Sequence, residues 1–588
     1  MTEARIATFS GGTVGLDRDA ATTVAQLQHP QQNNAPQAEN LLRLHPEHPF
    51  GVTVIIGGTN VRFCLSVPDR ADPVFESVRW TQLREELAPE LEKAGRTFEQ
   101  SKDEVYRSIA QKFAAFVLKH SPEGAEHPPL QNLCAFNFSI AGIVEGEGFN
   151  AKVSTTNTAI PMAEEQVALE VLGAINADLS ERGWPRVNVQ NVSVMNDAAA
   201  GLMGEHLGGA LRGFDNGLYL ILGTGVGSFG LVKGKLSYQF AELGHRVTRN
   251  AMSEAYTYHD DDELAELMDD QNQFKAASTE EWYAENELAG PWAAVKFLKH
   301  IKNDEGLKKC FHYFAEQVSE KVGPTRSCDE IKKIVDELAD LGYRDVTKWA
   351  VSSPSDVIKG VNSILFCHDV NRIANAVECD LSIKEVASRG AKPTEKALDY
   401  TKKAKELRLS AARVRKELER LSPSDERYAE LQAEAQASEQ EAVRVTEKAK
   451  KCSELGNAKF SKALTLAAYT EWQKYFKELA RFLETAYDAM KVRDAAPQRI
   501  VIAGGIGELS ATYAPQWKGR IMELFADFAP NIPNAEETVV FSTMSPEARE
   551  AYVTTAAVQE AFEEYKKKKV SLPNANGLLG SYSGETLH

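Results

Sequence analysis

Apolar and polar positions alternate along this chain in two rhythms, one strand-like and one helix-like. Val52, Val54 and Ile56 read as one strand and Val61, Phe63, Leu65 and Val67 as a second, with Gly57-Gly58-Thr59-Asn60 as the turn of a β-hairpin. The same layout returns over residues 217–232: an apolar strand, the tip Gly223-Thr224-Gly225, and another apolar strand. A third strand, Arg499 to Ala503, runs into Gly504-Gly505-Ile506-Gly507. Leu133 to Val144 reads as strand, bend and strand around Ser139-Ile140-Ala141-Gly142. Helical spacing marks Val105–Leu118, Gln166–Leu179, much of 292–375, and Ser545–Tyr565. Strands interleaved with helices predict an α/β fold.

The stretch from Asn191 to Glu205 sits at the centre of this pattern. Val192 and Val194 alternate as a short strand, Asn196 and Asp197 stand where it stops, and small, helix-forming residues follow. A carboxylate at a strand's C-terminal end lies where α/β folds place ligands. The same residue types are favoured helix N-caps, and both readings fit this stretch alone. The glycine tips are similarly two-sided. They let backbone N–H groups approach an anion, and they also make ordinary hairpins. The repetition of the device is more informative than either copy.

Two regions depart from the pattern. Residues 1–48 are polar, with Gln31-Gln32-Asn33-Asn34 and no helix-turn-helix signature, and read as a flexible arm or an extended wrap. Residues 392–456 are rich in Ala, Glu, Lys and Arg, interrupted by Ser422-Pro423-Ser424-Asp425. They predict an antiparallel helical hairpin with a thin stripe of Leu407, Ala411, Val414, Leu418 and Leu421. This is either a solvated insertion or a contact with a subunit or protein partner.

Composition narrows the function. The 588 residues carry 67 basic and 84 acidic side chains, a net charge of −17, which argues against broad binding to nucleic acid or anionic membranes. Seven cysteines lie at irregular spacing with no CxxC, which fits a reducing, cytoplasmic compartment. Cys367-His368 has no second pair to complete a metal site. No secretory signal and no membrane-spanning run is visible.

Three glycine turns in this order, with Asn-Asp between the first two, resemble the actin-like ATPase-fold sugar kinases, and most closely the glucokinases and the related ROK (repressor, ORF, kinase) group. Gly57, Gly58, Thr59 and Asn60 resemble their first phosphate loop; Gly223, Thr224 and Gly225 their second; Gly504 and Gly505 the turn that receives the nucleoside. Asn196-Asp197 resembles the sugar-binding and base pair, Glu242-Leu243-Gly244-His245 the sugar motif, and Ala284-Glu285 with Leu288-Ala289-Gly290-Pro291 a bacterial glucokinase segment whose Glu contacts the sugar. The resemblance implies two actin-like ATPase (ribonuclease H-like) lobes with a cleft between them, plus the helical hairpin. It divides the chain into an arm (1–48), a small α/β lobe (49–200), a first part of the large lobe (201–391), the hairpin (392–456), and a second part with the C-terminal helix (457–588). It implies transfer of the γ-phosphoryl group of ATP, with Mg²⁺, to a sugar hydroxyl. Asp197 is then the general base, and Asn157, Asn196, Glu242, His245 and Glu285 hold the sugar.

One position breaks the family pattern. An Asp two residues before the first loop helps hold Mg²⁺ in the family, and here that position is Ile55. Isoleucine has no oxygen for a hard cation, so the metal ligands stay unknown at this point. Two functions follow: a hexose kinase of carbohydrate metabolism and glycolysis, or a catalytically impaired descendant that binds sugar or nucleotide as a sensor or scaffold.

Overall fold

A computed structural model describes residues 42–571 except 71, 147, 156–157, 188–191, 251, 261–262, 264–280, 306, 324–325, 342–354, 367–382, 420 and 422–425. Asn157, residues 1–41 of the arm, Cys367-His368 and the turn at 422–425 lie outside the described residues.

The first lobe is built on a five-stranded sheet of β1 (Phe50–Ile56), β2 (Asn60–Ser66), β3 (Val74–Arg79), β4 (Leu133–Ile140) and β5 (Val192–Asn196), in the order β3-β2-β1-β4-β5. β2 runs antiparallel to both β1 and β3, while β4 is parallel to β1 and β5. The expected first hairpin is therefore real, with Ile56 opposite Val61 at its tip. Helices Lys102–Lys119 and Val167–Glu181 add Phe113, Phe116, Val171 and Ile175 to a core shared with Phe63, Phe136 and Phe138. The last residues of the polar arm cross this lobe, where Leu44 N donates to His120 O at 2.6 Å.

From β5 the chain enters helix α1 (Asp197–Gly208), which packs on the other lobe. That lobe repeats the first. Its sheet, β6 (Gly217–Leu222), β7 (Val226–Val232), β8 (Lys235–Ser237), β9 (Arg499–Ala503) and β10 (Val539–Phe541), has the order β8-β7-β6-β9-β10. The pairings match in direction as well: β7 is antiparallel to β6 and β8, and β9 is parallel to β6 and β10. Two copies of one sheet, facing each other across a cleft, are the two ribonuclease H-like lobes of an actin-like ATPase fold.

Between β8 and β9 the second lobe carries short helices α2 (Leu243–Arg246) and α3 (Glu285–Leu288), then α4 (Gly290–Asn303), α5 (Ser355–Phe366), α6 (Ile383–Leu418) and α7 (Glu426–Lys491). Helices α6 and α7 lie antiparallel, with Arg415 Nη2 to Glu439 Oε2 at 2.8 Å and Val414 buried against Leu431 and Ala435. The boundary expected at 456 falls inside α7. This single helix has 66 residues, about 100 Å at ~1.5 Å per residue, and Gly456 does not end it. Its C-terminal half carries Phe460, Trp472, Phe476 and Leu483 into the second lobe's core, whose burial outweighs one glycine's modest helix penalty.

After β9 come α8 (Gly504–Phe528), α9 (Pro546–Glu550) and α10 (Tyr552–Ser571). Here a second expectation changes. The C-terminal helix belongs to the first lobe's sheet: Thr554 and Thr555 bond Thr53 and Ser66 at 2.7 and 2.9 Å. Gly51 lets this helix approach β1, since a Cβ there would lie 2.4 Å from Thr554 Cγ2. The small residues of α1 have the same cause. Cβ atoms at Gly201, Gly204 and Gly208 would meet Tyr219, Arg549 and Tyr552. The lobe boundary expected at residue 200 thus cuts through a helix that both lobes share.

Candidate active site

The first turn is held from behind. Trp80 donates its indole N–H to Gly57 O at 2.8 Å, and Gly57 N donates to Asn60 O at 3.0 Å. The second and third turns meet because β6 and β9 are parallel neighbours, so both end on the same side of the sheet. Gly504 has φ +81, and a Cβ there would lie 2.6 Å from Leu222 O; glycine alone suits both the backbone and the contact. Gly290 N closes the group by donating to Gly223 O at 2.9 Å.

All three turns line one cleft of about 560 Å³, and Asp197 lies on its wall together with Glu242 and Glu285. Gly57, Gly58, Thr59, Asn60, Gly223, Thr224, Gly225, Gly504 and Gly505 all face this space. These backbone-rich turns at strand ends suit the phosphates of a nucleotide.

Asp197 begins α1, and its Oδ1 accepts from Ala198 N at 2.8 Å. Burial, then the nearby Glu550 and Glu242 carboxylates, push its pKa up to about 8. A carboxyl group in this range holds its proton at neutral pH in the ligand-free protein and changes state close to it, within the range useful for acid–base work. Asn196 has a different place. Its Oδ1 caps α1 by accepting from Ala198 N and Ala199 N at 2.9 and 3.1 Å, and its Nδ2 donates to Gly142 O at 2.7 Å. Neither Asn196 nor His245 is among the side chains lining the cleft; Asn196 is buried and spends its polar atoms on the helix start and Gly142, so the N-cap reading describes it, whereas His245 stands behind Glu242 and Glu285.

Glu242 and Glu285 gather around His245. Its Nδ1 lies 3.8 Å from Glu242 Oε2, its Nε2 3.6 Å from Glu285 Oε1, and its ring stands edge-on to Tyr283. Burial disfavours the imidazolium, but the carboxylates of Glu285 and Glu242 prevail and raise its pKa. Glu285 Oε2 also accepts from Val226 N at 3.0 Å. Gly244 is needed because a Cβ there would lie 2.6 Å from Val226 O. Glu242 has φ +55, a left-handed conformation that costs a non-glycine residue about 1–2 kcal/mol. Strain of this kind gathers at functional sites, where the surroundings hold it.

Several cleft residues had no sequence signal. Lys359, Asn362 and Ser363 come from α5 beside the third turn; Asn362 Nδ2 donates to Gly290 O at 3.1 Å. Arg62, Glu508, Arg549 and Glu550 line the same cleft, as does Ile55. Arg62 alone lay inside a recognised hairpin, at a polar position among apolar ones. The donor set can be tested against Mg²⁺. Among the described residues no three acidic, His or Cys side chains converge as a metal site. Mg²⁺ in nucleotide sites needs less, since one or two carboxylates, waters and the phosphates suffice. Glu550 and Asp197 are carboxylates on this cleft, so the residues fit a cation that arrives with a nucleotide.

No protein-family model matches this chain, and no curated protein does. Among solved structures it is similar to a ROK family glucokinase from Streptomyces griseus in complex with glucose and AMPPNP, at 14% identity over 88% of this chain and 99% of that one, TM-score 0.38. It is also similar to a glucokinase from Balamuthia mandrillaris in complex with glucose, at 12% identity over 92% and 99% of the two chains, TM-score 0.36. A ROK family transcriptional regulator, a homolog of E. coli MLC protein, matches at 12% over 88% and 79%, TM-score 0.37. The fold itself rests on the two matching sheets, and it is the actin-like ATPase fold.

Proposed function

We propose that this chain is an ATP-dependent hexose kinase of glucokinase type. The observation that supports it most is the position of Asp197, on the wall of the one cleft that the three glycine turns line together with Glu242 and Glu285. In this reading the turns hold the triphosphate through backbone N–H groups, and Glu242, His245 and Glu285 hold the sugar ring. Asp197 accepts the proton of the attacking hydroxyl while its oxygen bonds the γ-phosphorus and the bond to the β-phosphate oxygen breaks. Phosphoryl transfer asks little covalent chemistry of the protein, so positioning and charge carry the rate. Mg²⁺, bound with ATP, would neutralise charge on the phosphates. Closure of the lobes excludes water that would otherwise be phosphorylated.

Asn157 stays a candidate sugar contact outside the described residues. Cytoplasmic residence accords with this reading: Cys64, Cys134, Cys310, Cys328 and Cys452 are free thiols, and among the described residues no helix is long and apolar enough to cross a membrane. A coupled ADP-release assay with ATP, Mg²⁺ and a panel of hexoses tests the proposal; hexose-dependent release is expected, and its absence rejects kinase activity. One observation favours the second reading, a sugar or nucleotide sensor acting through α6 and α7. Ile55 is fully buried against Cys64 and Ala551, and offers no oxygen where the family has a carboxylate.

A further inference from the structure

The surroundings of Ile55 suggest where the lost carboxylate went. Ile55 lies in register with Arg62 on β2 and with Ser139 on β4. In-register side chains share a sheet face, so all three point to the side covered by α9 and the start of α10. Helix α9 is fastened to both neighbours. Its Glu547 reaches Arg62 Nε at 3.5 Å, and its Glu550 Oε2 accepts from Ser139 Oγ at 2.5 Å. Ala551, the next residue, packs on Ile55 itself. Glu550 therefore delivers a carboxylate to the same face, one strand away from the family position, a displacement of about 4.8 Å.

This carboxylate feels the same two arginines as its acidic neighbours but is paired directly to neither. Glu547 is committed to Arg62, and Glu508 to Arg549 at 3.2 Å. Glu550 is only 6% exposed, lines the cleft beside Asp197 and the first turn, and uses one oxygen on Ser139. Its Oε1 accepts no hydrogen bond from any described residue. An unbonded carboxylate oxygen on the wall of a cleft is the kind of hard ligand that a divalent cation takes.

Resting on the kinase reading above, we infer that Glu550 replaces the missing β1 carboxylate and holds the divalent cation that enters with the nucleotide. The role has moved from a strand to a helix near the far end of the chain, and the Ile55 methyl groups fill the volume the older ligand would have taken.

Calorimetric titration with AMPPNP, in EDTA and then in Mg²⁺, reads this without turnover. The wild-type chain is expected to bind AMPPNP at least roughly tenfold tighter with Mg²⁺, and Glu550→Gln to lose most of that gain. Metal-free AMPPNP and glucose binding should be unchanged in Glu550→Gln, which also shows that it is folded. Should that variant fail to fold, Glu550→Asp, which withdraws the charge by one methylene, must show the same selective loss. The double variant Ile55→Asp/Glu550→Gln should recover the Mg²⁺ gain. A wild-type gain retained in Glu550→Gln overturns the inference. Wild-type binding of AMPPNP that ignores Mg²⁺ also overturns it, while leaving the nucleotide site standing. Failure to bind AMPPNP or any hexose at all would instead remove the kinase reading beneath it.

Discussion

The two lobes fold five strands in one order and direction, yet they bring their acidic groups to the cleft by different routes. Both hairpins place an isoleucine two residues before the turn, Ile55 in the first lobe and Ile221 in the second, and both face the cleft. Each lobe then borrows a glutamate from a helix outside its hairpin. In the second lobe Glu285 is tied to the hairpin's own backbone at Val226 N and shares His245 with Glu242. In the first lobe Glu550 is tied to a side chain, Ser139, and keeps one oxygen unused. In the proposed reading the difference separates two tasks. A carboxylate fixed by backbone and imidazole suits reading neutral hydroxyls, whereas one with a spare oxygen suits a cation.

The comparison is broken most severely at Asp197, where the lobes join. Asp197→Ala is expected to lower kcat by about 10²–10⁴-fold while hexose binding by calorimetry stays within a few-fold. Full activity would remove this residue from its role. A second test uses the ligand-free protein. The folded-state pKa of Asp197, about 8, lies above its ordinary value of 3.8, so the folded protein favours the protonated form. Its stabilising effect is complete below about 4 and is lost as pH rises through about 8. Asp197→Asn should therefore raise Tm relative to wild type by an amount that grows over this window and then levels. A pH-independent difference would contradict it.

Glu285→Gln sharpens the contrast with Glu550. It removes a charged acceptor from Val226 N and His245, and hexose affinity should fall about 10- to 100-fold with little change in AMPPNP binding. Equal losses for both ligands would mean that the two lobes do not divide the work. The smallest effect separates the two turns. A Cβ at Gly225 would lie 2.8 Å from Glu285 Oε2, whereas one at Gly57 meets nothing nearer than Asn60 O at 3.6 Å. Gly225→Ala should cost about 1–3 kcal/mol of stability in chemical denaturation, and Gly57→Ala close to none.

The hairpins, their tips and the central strand were legible because their signals are local. Gly57-Gly58, Gly223 and Gly504 each announce a turn within a few residues, and Asn196-Asp197 announces a strand becoming a helix. Asn196 shows the limit of that signal, since one residue type serves both a cap and a ligand, and only the fold separates them. Glu550 was invisible for another reason. Its bond to Ser139 joins residues 411 positions apart, and nothing in a window around Pro546–Glu550 encodes that meeting. The extent of α7 was misjudged because its two halves answer to different surroundings. Val445 and Ala449 face a single helix, while Phe476 and Leu479 face a full core.

The docking of α10 on β1 also constrains how the chain is made. Thr53 and Thr554 are 501 positions apart, yet they touch at the centre of the first lobe. A ribosome that has finished β5 has released every strand of that lobe and none of its closing helix. The nascent first lobe must wait, with one sheet face uncovered, until Tyr552–Ser571 has been synthesised. Native contacts of such sequence separation are slow to form and leave apolar surface open to aggregation in the interval. Truncation before residue 552 should therefore expose the lobe synthesised first, at the opposite end of the chain from the cut.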